Sequence, residues 1–166
     1  ASDVYKRQEL DPRLLAAPAA ALEKCRELAG DMAALARDNL RRGVAALTEV
    51  QPASAKELRR QEERIDRMED VLGTLLVRLS GQTLTRRDNA RAAELLALIG
   101  DFERLGDHAM NLLESGEELR DKDISLPAED RRELRVLTDA VEEIADLALD
   151  AFRRAVSYTH LTLPTT

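Results

Sequence analysis

Hydrophobic residues recur at intervals of three and four positions in four long stretches of the chain, at residues 19–49, 55–80, 86–120 and 128–156. This spacing places apolar side chains on one face of an α-helix, and a repeat near 3.5 residues is typical of coiled-coil-like packing. The apolar positions of the two middle stretches are Leu58, Ile65, Met68, Leu72, Leu75 and Leu79, then Ala92, Leu95, Ile99, Phe102, Gly106, Ala109 and Leu113. The pattern predicts an all-α fold, an antiparallel bundle of four helices.

Short polar segments separate the four helices. "QPAS" precedes the second helix, with Ser54 as its expected N-cap, and Thr85 is the expected N-cap of the third. The fourth helix resembles the first after a shift of 112 positions, which aligns Leu22 with Leu134 and Met32 with Ile144. If this similarity is a true repeat rather than chance, the chain contains one three-helix unit and the first helix of a second.

Composition supports helices and narrows the range of functions. The chain is 44% hydrophobic but only 2% aromatic, whereas sheets favour aromatic and β-branched residues. The formal net charge is −7 and no basic block is present, so nucleic acid is not an expected partner. Cys25, the single cysteine, lies in an apolar helical pattern and is interpreted as a core residue.

The two ends of the chain do not continue the helical patterns. Residues 1–8 and the Thr-rich residues 157–166 resemble translated adapter or cloning sequence, with ordinary frayed termini as the alternative. Residues 9–18 contain two prolines and are interpreted as a linker. We therefore expect a truncated helical domain at residues 19–156. No run of about 18 apolar residues is present to predict a membrane span.

Two pairs of carboxylates occupy the same register on the second and third helices. Glu62 and Asp66 lie at heptad positions e and b, and Glu103 and Asp107 lie at the same positions on the next helix. Residues four apart share a helix face, where like charges repel by roughly 0.2–0.5 kcal/mol. A bound cation would offset this repulsion, since Mg²⁺, Ca²⁺, Fe and Mn accept carboxylate ligands. The alternative is a solvated face on which arginines such as Arg104 pair with the acids.

The residues around these carboxylates are assigned to packing or to the surface. Gly106 costs about 1 kcal/mol relative to Ala inside a helix, so close approach of a neighbouring helix is the expected compensation. His108, Asn111 and Glu114 lie beside the seam and are expected at the surface. No Glu-x-x-His pair, Ser/His/Asp set, Gly-rich phosphate loop or Cys/His cluster is present, so we expect no enzymatic activity.

The segments "EERIDRMED" on the second helix and "DFERLGDHAMNLLE" on the third resemble the PhoU family. The resemblance covers about residues 19–156. It implies a fold of repeated three-helix bundles and a regulatory, non-enzymatic role in phosphate uptake and signalling. It also implies a site for a divalent or ferric ion (Fe, Mn, Mg or Zn), carried over onto Glu62, Asp66, Glu103 and Asp107.

A second resemblance concerns "LDPRLLAAPAAALEKC" at residues 10–25. It is similar to the junction between the membrane domain and the PhoU-like domain of bacterial sodium-dependent phosphate (Na/Pi) cotransporters. This implies a regulatory domain on the cytoplasmic side of the cell membrane, whose partner is the membrane transport domain of the same parent chain, with self-association as a further possibility. The alternatives are a free-standing PhoU-type regulator of phosphate uptake signalling and a metal-free structural helical bundle.

Overall fold

The computed structural model describes residues 17–159, which form four α-helices and no strand, so the predicted all-α fold is confirmed. The helices are α1 (Pro18–Ala46), α2 (Pro52–Ser80), α3 (Arg86–Asp121) and α4 (Ala128–Thr159). The first helix ends three residues before the predicted position 49, and the fourth continues three residues beyond 156. The segment 1–8, most of the proposed linker and residues 160–166 lie outside the described residues.

The N-termini of α2 and α3 show one wrong and one correct capping prediction. α2 begins at Pro52, and its N-cap is Gln51 rather than Ser54. Proline suits the first turn, because its missing N–H would have no partner there in any helix. Thr85 is confirmed as the N-cap of α3, because its hydroxyl accepts a hydrogen bond from the backbone N–H of Asp88 at 3.1 Å.

α1, α2 and α3 form a three-helix bundle in which α2 runs antiparallel to the other two helices. α1 and α3 run parallel and approach closely, since Gly43 faces Ala109 and, further along both helices, Ala46 faces Gly116. A Cβ atom on Gly43 would lie 2.5 Å from the carbonyl oxygen of Ala109. Only a residue without a Cβ allows two backbones to come this close.

The core consists of two apolar clusters, one towards each end of the bundle. The seam predicted on α2 is buried throughout, and the seam on α3 is buried except for the half-buried Phe102. Cys25 has no exposed surface, which confirms it as a core residue. The larger cluster includes Leu22, Met32, Ile65, Leu72, Leu79 and Ile99, and the smaller one consists of Ala46, Ala55, Leu58, Ala109 and Leu113.

α4 packs mainly against α1 and runs antiparallel to it. The Arg37 and Arg41 guanidinium groups of α1 lie 2.7 and 2.5 Å from the two carboxylate oxygens of Asp146. Phe152 of α4 packs edge-on against Phe102 of α3, with ring centroids 5.5 Å apart and planes at 81°. These contacts attach α4 to the outside of the three-helix bundle.

Candidate carboxylate site

A polar layer crosses the three-helix bundle between the two apolar clusters. Asn39 of α1, Glu62 of α2 and Gly106 of α3 meet at this level. Asn39 has no exposed surface and Glu62 is 9% exposed, and they are the only buried polar or charged side chains in the described part of the chain. Burial of a polar group is costly unless hydrogen bonds replace those to water, so the hydrogen bonds of this layer decide how much the layer costs.

The hydrogen bonds in this layer are few and long. The Asn39 amide nitrogen donates to the Leu58 carbonyl oxygen at 3.3 Å and to Glu62 Oε2 at 3.4 Å. Both distances exceed the usual range of 2.7–3.2 Å for N–H···O bonds. Asn39 Oδ1 and Glu62 Oε1 are buried and accept no hydrogen bond from any described residue. Among the described residues, this polar layer therefore holds two acceptor oxygens without hydrogen-bond donors.

Gly106 provides the space that the Glu62 carboxylate occupies. A Cβ atom at this position would lie 2.6 Å from Glu62 Oε2 and 3.1 Å from Oε1. The sequence predicted that a neighbouring helix would approach this glycine, but its neighbour is a side chain of α2. A glycine weakens a helix by about 1 kcal/mol relative to alanine. At Gly106 the space that the missing side chain leaves is filled by the Glu62 carboxylate.

The structure brings all four predicted carboxylates into electrostatic contact. The pKa of Glu62 is raised to about 7, first by burial and then by the negative charges of Asp66, Asp107 and Glu103. Burial and the charge of Asp107 also raise the pKa of Asp66, and burial, Asp107 and Asp66 raise that of Glu103. Glu62 is buried and Glu103 half-buried, whereas the two aspartates are exposed. The cluster therefore extends from the core to the surface.

Nearby basic residues do not remove this concentration of negative charge. Arg104 pairs with Asp101, and Arg67 lies 3.9 Å from Glu63. Arg67 also lowers the pKa of Asp66, but burial and neighbouring carboxylates outweigh that effect. The side chains expected at the surface beside the cluster, those of His108, Asn111 and Glu114, are exposed as predicted.

The donor set of the cluster suits a hard cation, while the arrangement of the side chains is not that of a formed metal site. Carboxylate oxygens are the preferred ligands of Mg²⁺ and Ca²⁺, and Glu62 Oε1 accepts no hydrogen bond from the described residues. Within residues 17–159, no three His, Cys, Asp or Glu side chains are arranged so that they could hold a metal ion. The outer carboxylates would have to turn towards Glu62 to share one ion with it.

Asn39 is the site residue that the sequence analysis did not identify. It lies on the apolar face of α1 between Ala36, Leu40 and Gly43, which are all buried. A single asparagine within such a face is a departure from the helical pattern, and buried polar residues need partners. This single asparagine on an apolar face was the sign in the sequence that could have identified Asn39 as a site residue.

Comparison with known proteins gives one positive result. The PhoU domain family matches residues 30–116, which is just over half of the chain and includes Asn39, Gly106 and the four carboxylates. No curated protein and no solved structure matches the chain significantly. In the described range, no helix combines the length and the apolar character that crossing a membrane requires.

Proposed function

Because the chain belongs to the PhoU domain family, we propose that it is a regulatory, non-enzymatic domain that acts in the control of phosphate transport. The family match over residues 30–116 is the observation that carries this proposal, since it spans the carboxylate cluster and most of the three-helix bundle. The test is phosphate uptake by cells with and without the gene that encodes the chain. Loss of the gene should change the uptake rate, and an unchanged rate at both low and high phosphate would contradict the proposal.

The finer proposal concerns the parent protein. We propose that the chain is the cytoplasmic regulatory domain of a sodium-dependent phosphate cotransporter, acting on the membrane transport domain of the same parent chain. The junction-like sequence at residues 10–25 supports this assignment. The transported sodium and phosphate would then bind in the membrane domain, outside this chain.

The genomic locus distinguishes this parent from a free-standing regulator. If the proposal is correct, several apolar segments of about 20 residues will precede residue 10 in the same reading frame. A start codon just upstream, with no such segments, would contradict the cotransporter assignment and favour a free-standing PhoU-type regulator of phosphate uptake signalling. The same reading would show whether residues 1–8 and 157–166 belong to the protein.

We also propose that the carboxylate cluster holds a divalent or ferric ion (Fe, Mn, Mg or Zn). The residues that would hold it are Glu62, Asp66, Glu103 and Asp107. Two observations support this: the buried Glu62 Oε1 accepts no hydrogen bond from any described residue, and neighbouring carboxylates raise the pKa values of Glu62, Asp66 and Glu103. A bound ion would supply the positive charge that the cluster lacks. Because each helix contributes two ligands, binding would stabilise the contact between α2 and α3.

Thermal unfolding with and without added ions tests the metal proposal. After treatment with chelator, Mg²⁺, Mn²⁺, Zn²⁺ and Fe³⁺ are added separately to the wild type and to the Glu103→Gln/Asp107→Asn double variant. An ion at 100 times its Kd stabilises the folded state by about 2.7 kcal/mol, which is a clear rise in melting temperature. We expect this rise in the wild type and not in the double variant.

Glu114→Gln is the matched control, because Glu114 is an exposed carboxylate on the same helix outside the cluster. It should respond to the ion as the wild type does. If no ion shifts the melting temperature of any of the three proteins, the metal-free structural bundle is the correct interpretation. If all three respond equally, the ion binds elsewhere.

A further inference from the structure

All three helices of the bundle depart from their apolar pattern at the same level. The buried positions of α1 are apolar or glycine with the single exception of Asn39. α2 buries Glu62, one position after Gln61, which the heptad pattern would place in the seam, and α3 has Gly106 in its seam. Each departure is costly when taken alone. Their coincidence indicates one built arrangement around the Glu62 carboxylate, since local rules are broken together mainly at functional sites.

The side-chain amide of Asn39 contacts the Glu62 carboxylate from the α1 side. Its nitrogen donates to Glu62 Oε2 at 3.4 Å and to the carbonyl oxygen of Leu58, one turn earlier on α2, at 3.3 Å. These neighbours set the orientation of the amide, because Oδ1 in place of the nitrogen would face two acceptor oxygens. Glu62 Oε1 accepts no hydrogen bond from the described residues, so it is the carboxylate oxygen that stays available to a ligand.

The packing of α1 against α3 keeps Asn39 within reach of Glu62. One turn beyond the polar layer, a Cβ atom on Gly43 would lie 2.5 Å from the carbonyl oxygen of Ala109. This backbone contact fixes the spacing of the two helices next to the layer. On the α3 side, a Cβ atom on Gly106 would lie 2.6 Å from Glu62 Oε2. The carboxylate therefore lies between the Asn39 amide and the face of α3 at Gly106.

We propose that Asn39 positions Glu62 as the inner ligand of the ion at the carboxylate cluster, an inference that rests on the metal proposal above. An ionised carboxylate is costly to bury, so without this hydrogen bond Glu62 would turn towards water. The amide restrains Oε2 and leaves Oε1 for the ion, while Asp66, Glu103 and Asp107, which are exposed or half-buried, can rotate towards it. Hydrogen bonds that orient a metal ligand typically contribute a factor of about 10–100 to metal affinity.

Equilibrium dialysis of the full chain against Mg²⁺, Mn²⁺, Zn²⁺ or Fe³⁺, after treatment with chelator, measures the Kd of each ion. Asn39→Ala removes the amide and leaves a space, whereas Asn39→Leu removes the amide and fills that space. Both should raise the Kd of the ion that the wild type binds by about 10- to 100-fold. Asn89→Ala is the matched control, because Asn89 is an exposed asparagine of α3 about 21 Å along the helix from Glu103, and it should bind as the wild type does. Circular dichroism should show equal helix content in all four proteins.

The same measurement in the Glu62→Gln background distinguishes a positioning role from direct contact with the ion. Glutamine keeps a carbonyl oxygen at this position, so Glu62→Gln should retain weak binding. Asn39→Ala should not weaken that binding further, because no carboxylate remains to be positioned. A further tenfold rise in Kd in this background would show that Asn39 contacts the ion itself, and the positioning role would be overturned.

The outcomes separate this inference from the metal proposal. If the wild type binds an ion and both Asn39 variants bind it with an unchanged Kd, the metal proposal stands and the role of Asn39 is overturned. If Asn39→Leu binds as the wild type does and only Asn39→Ala is weakened, Asn39 serves packing alone, which also overturns the inference. If the wild type binds none of the four ions, the metal proposal fails and the inference fails with it.

Discussion

Replacing Glu62 with glutamine should stabilise the protein at neutral and alkaline pH while leaving its stability at pH 4.5 almost unchanged. Glu62 is 9% exposed in the folded protein, and burial together with the surrounding carboxylates raises the pKa of its carboxyl from 4.5 to about 7. Glutamine has nearly the shape of the protonated side chain but cannot ionise. The variant therefore keeps the packing next to Gly106 and removes the charge.

The sign of the effect follows from proton binding. Between pH 4.5 and about 7 the folded state retains a proton at Glu62 that the unfolded state has released, so the free energy of unfolding falls as the pH rises through this window and is level above it. One pKa unit corresponds to about 1.4 kcal/mol. The difference between 4.5 and about 7 therefore sets an upper limit of about 3 kcal/mol on the loss, and water that reaches the carboxylate reduces it.

Urea unfolding at pH 4.5, 5, 6, 7 and 8, in the presence of chelator, measures this difference. The carboxyls of Asp66 and Glu103 also have raised pKa values, but they are present in both proteins, so subtracting the two curves isolates Glu62. Glu114→Gln serves as the control and should follow the wild type. A wild type that gains stability relative to Glu62→Gln as the pH rises would refute the reasoning, since it would require a positive partner for Glu62. A constant difference across the pH range would refute it as well.

Three further predictions concern packing, capping and the buried thiol. Gly43→Ala should lower the free energy of unfolding by about 1–3 kcal/mol, because its Cβ would meet the Ala109 backbone. Gly100→Ala should raise the free energy of unfolding by up to about 1 kcal/mol, because its Cβ would have nothing within 4 Å. Urea unfolding measures both changes. Thr85→Ala should cost about 0.5–2 kcal/mol in the same assay, and Thr85→Ser should restore most of it. The Cys25 thiol, with no exposed surface and a pKa raised by burial to about 11, should react with a thiol reagent at pH 8 only on unfolding, and rapid labelling of the folded protein would contradict this.

The positions of α1, α2 and α3 could be predicted because burial of one apolar face stabilises each of these helices. Leu58 and Leu72, which belong to the predicted seam on α2, are no more than 1% exposed. The helix ends depend on local backbone chemistry that periodicity does not contain. Ser54 is a good capping residue, yet Pro52 already provides the first turn of α2, and the cap therefore falls at Gln51.

The lateral arrangement of the carboxylates was also predictable, but their depth was not. Residues four apart share a helix face, and a common heptad register aligns two neighbouring helices, so the four acids were expected on one side. The register assigns Glu62 and Glu103 to the same position, yet only Glu62 is buried. The difference comes from the packing of the neighbouring helices. Asn39 of α1 and the space at Gly106 of α3 enclose the carboxylate of Glu62, whereas that of Glu103 has no such enclosure.

The polar layer of Asn39 and Glu62 lowers the stability of the fold. An apolar pair of similar volume in place of Asn39 and Glu62 would join the two apolar clusters and remove two buried oxygens that lack donors. The layer instead lowers stability most strongly at pH values above about 7, where Glu62 has lost its proton. Whole domains are stable by only about 5–15 kcal/mol, so a loss of up to about 3 kcal/mol is large. The cation proposed for the cluster would recover much of the stability that the unbound protein lacks, and its binding would be coupled to the contact between α2 and α3.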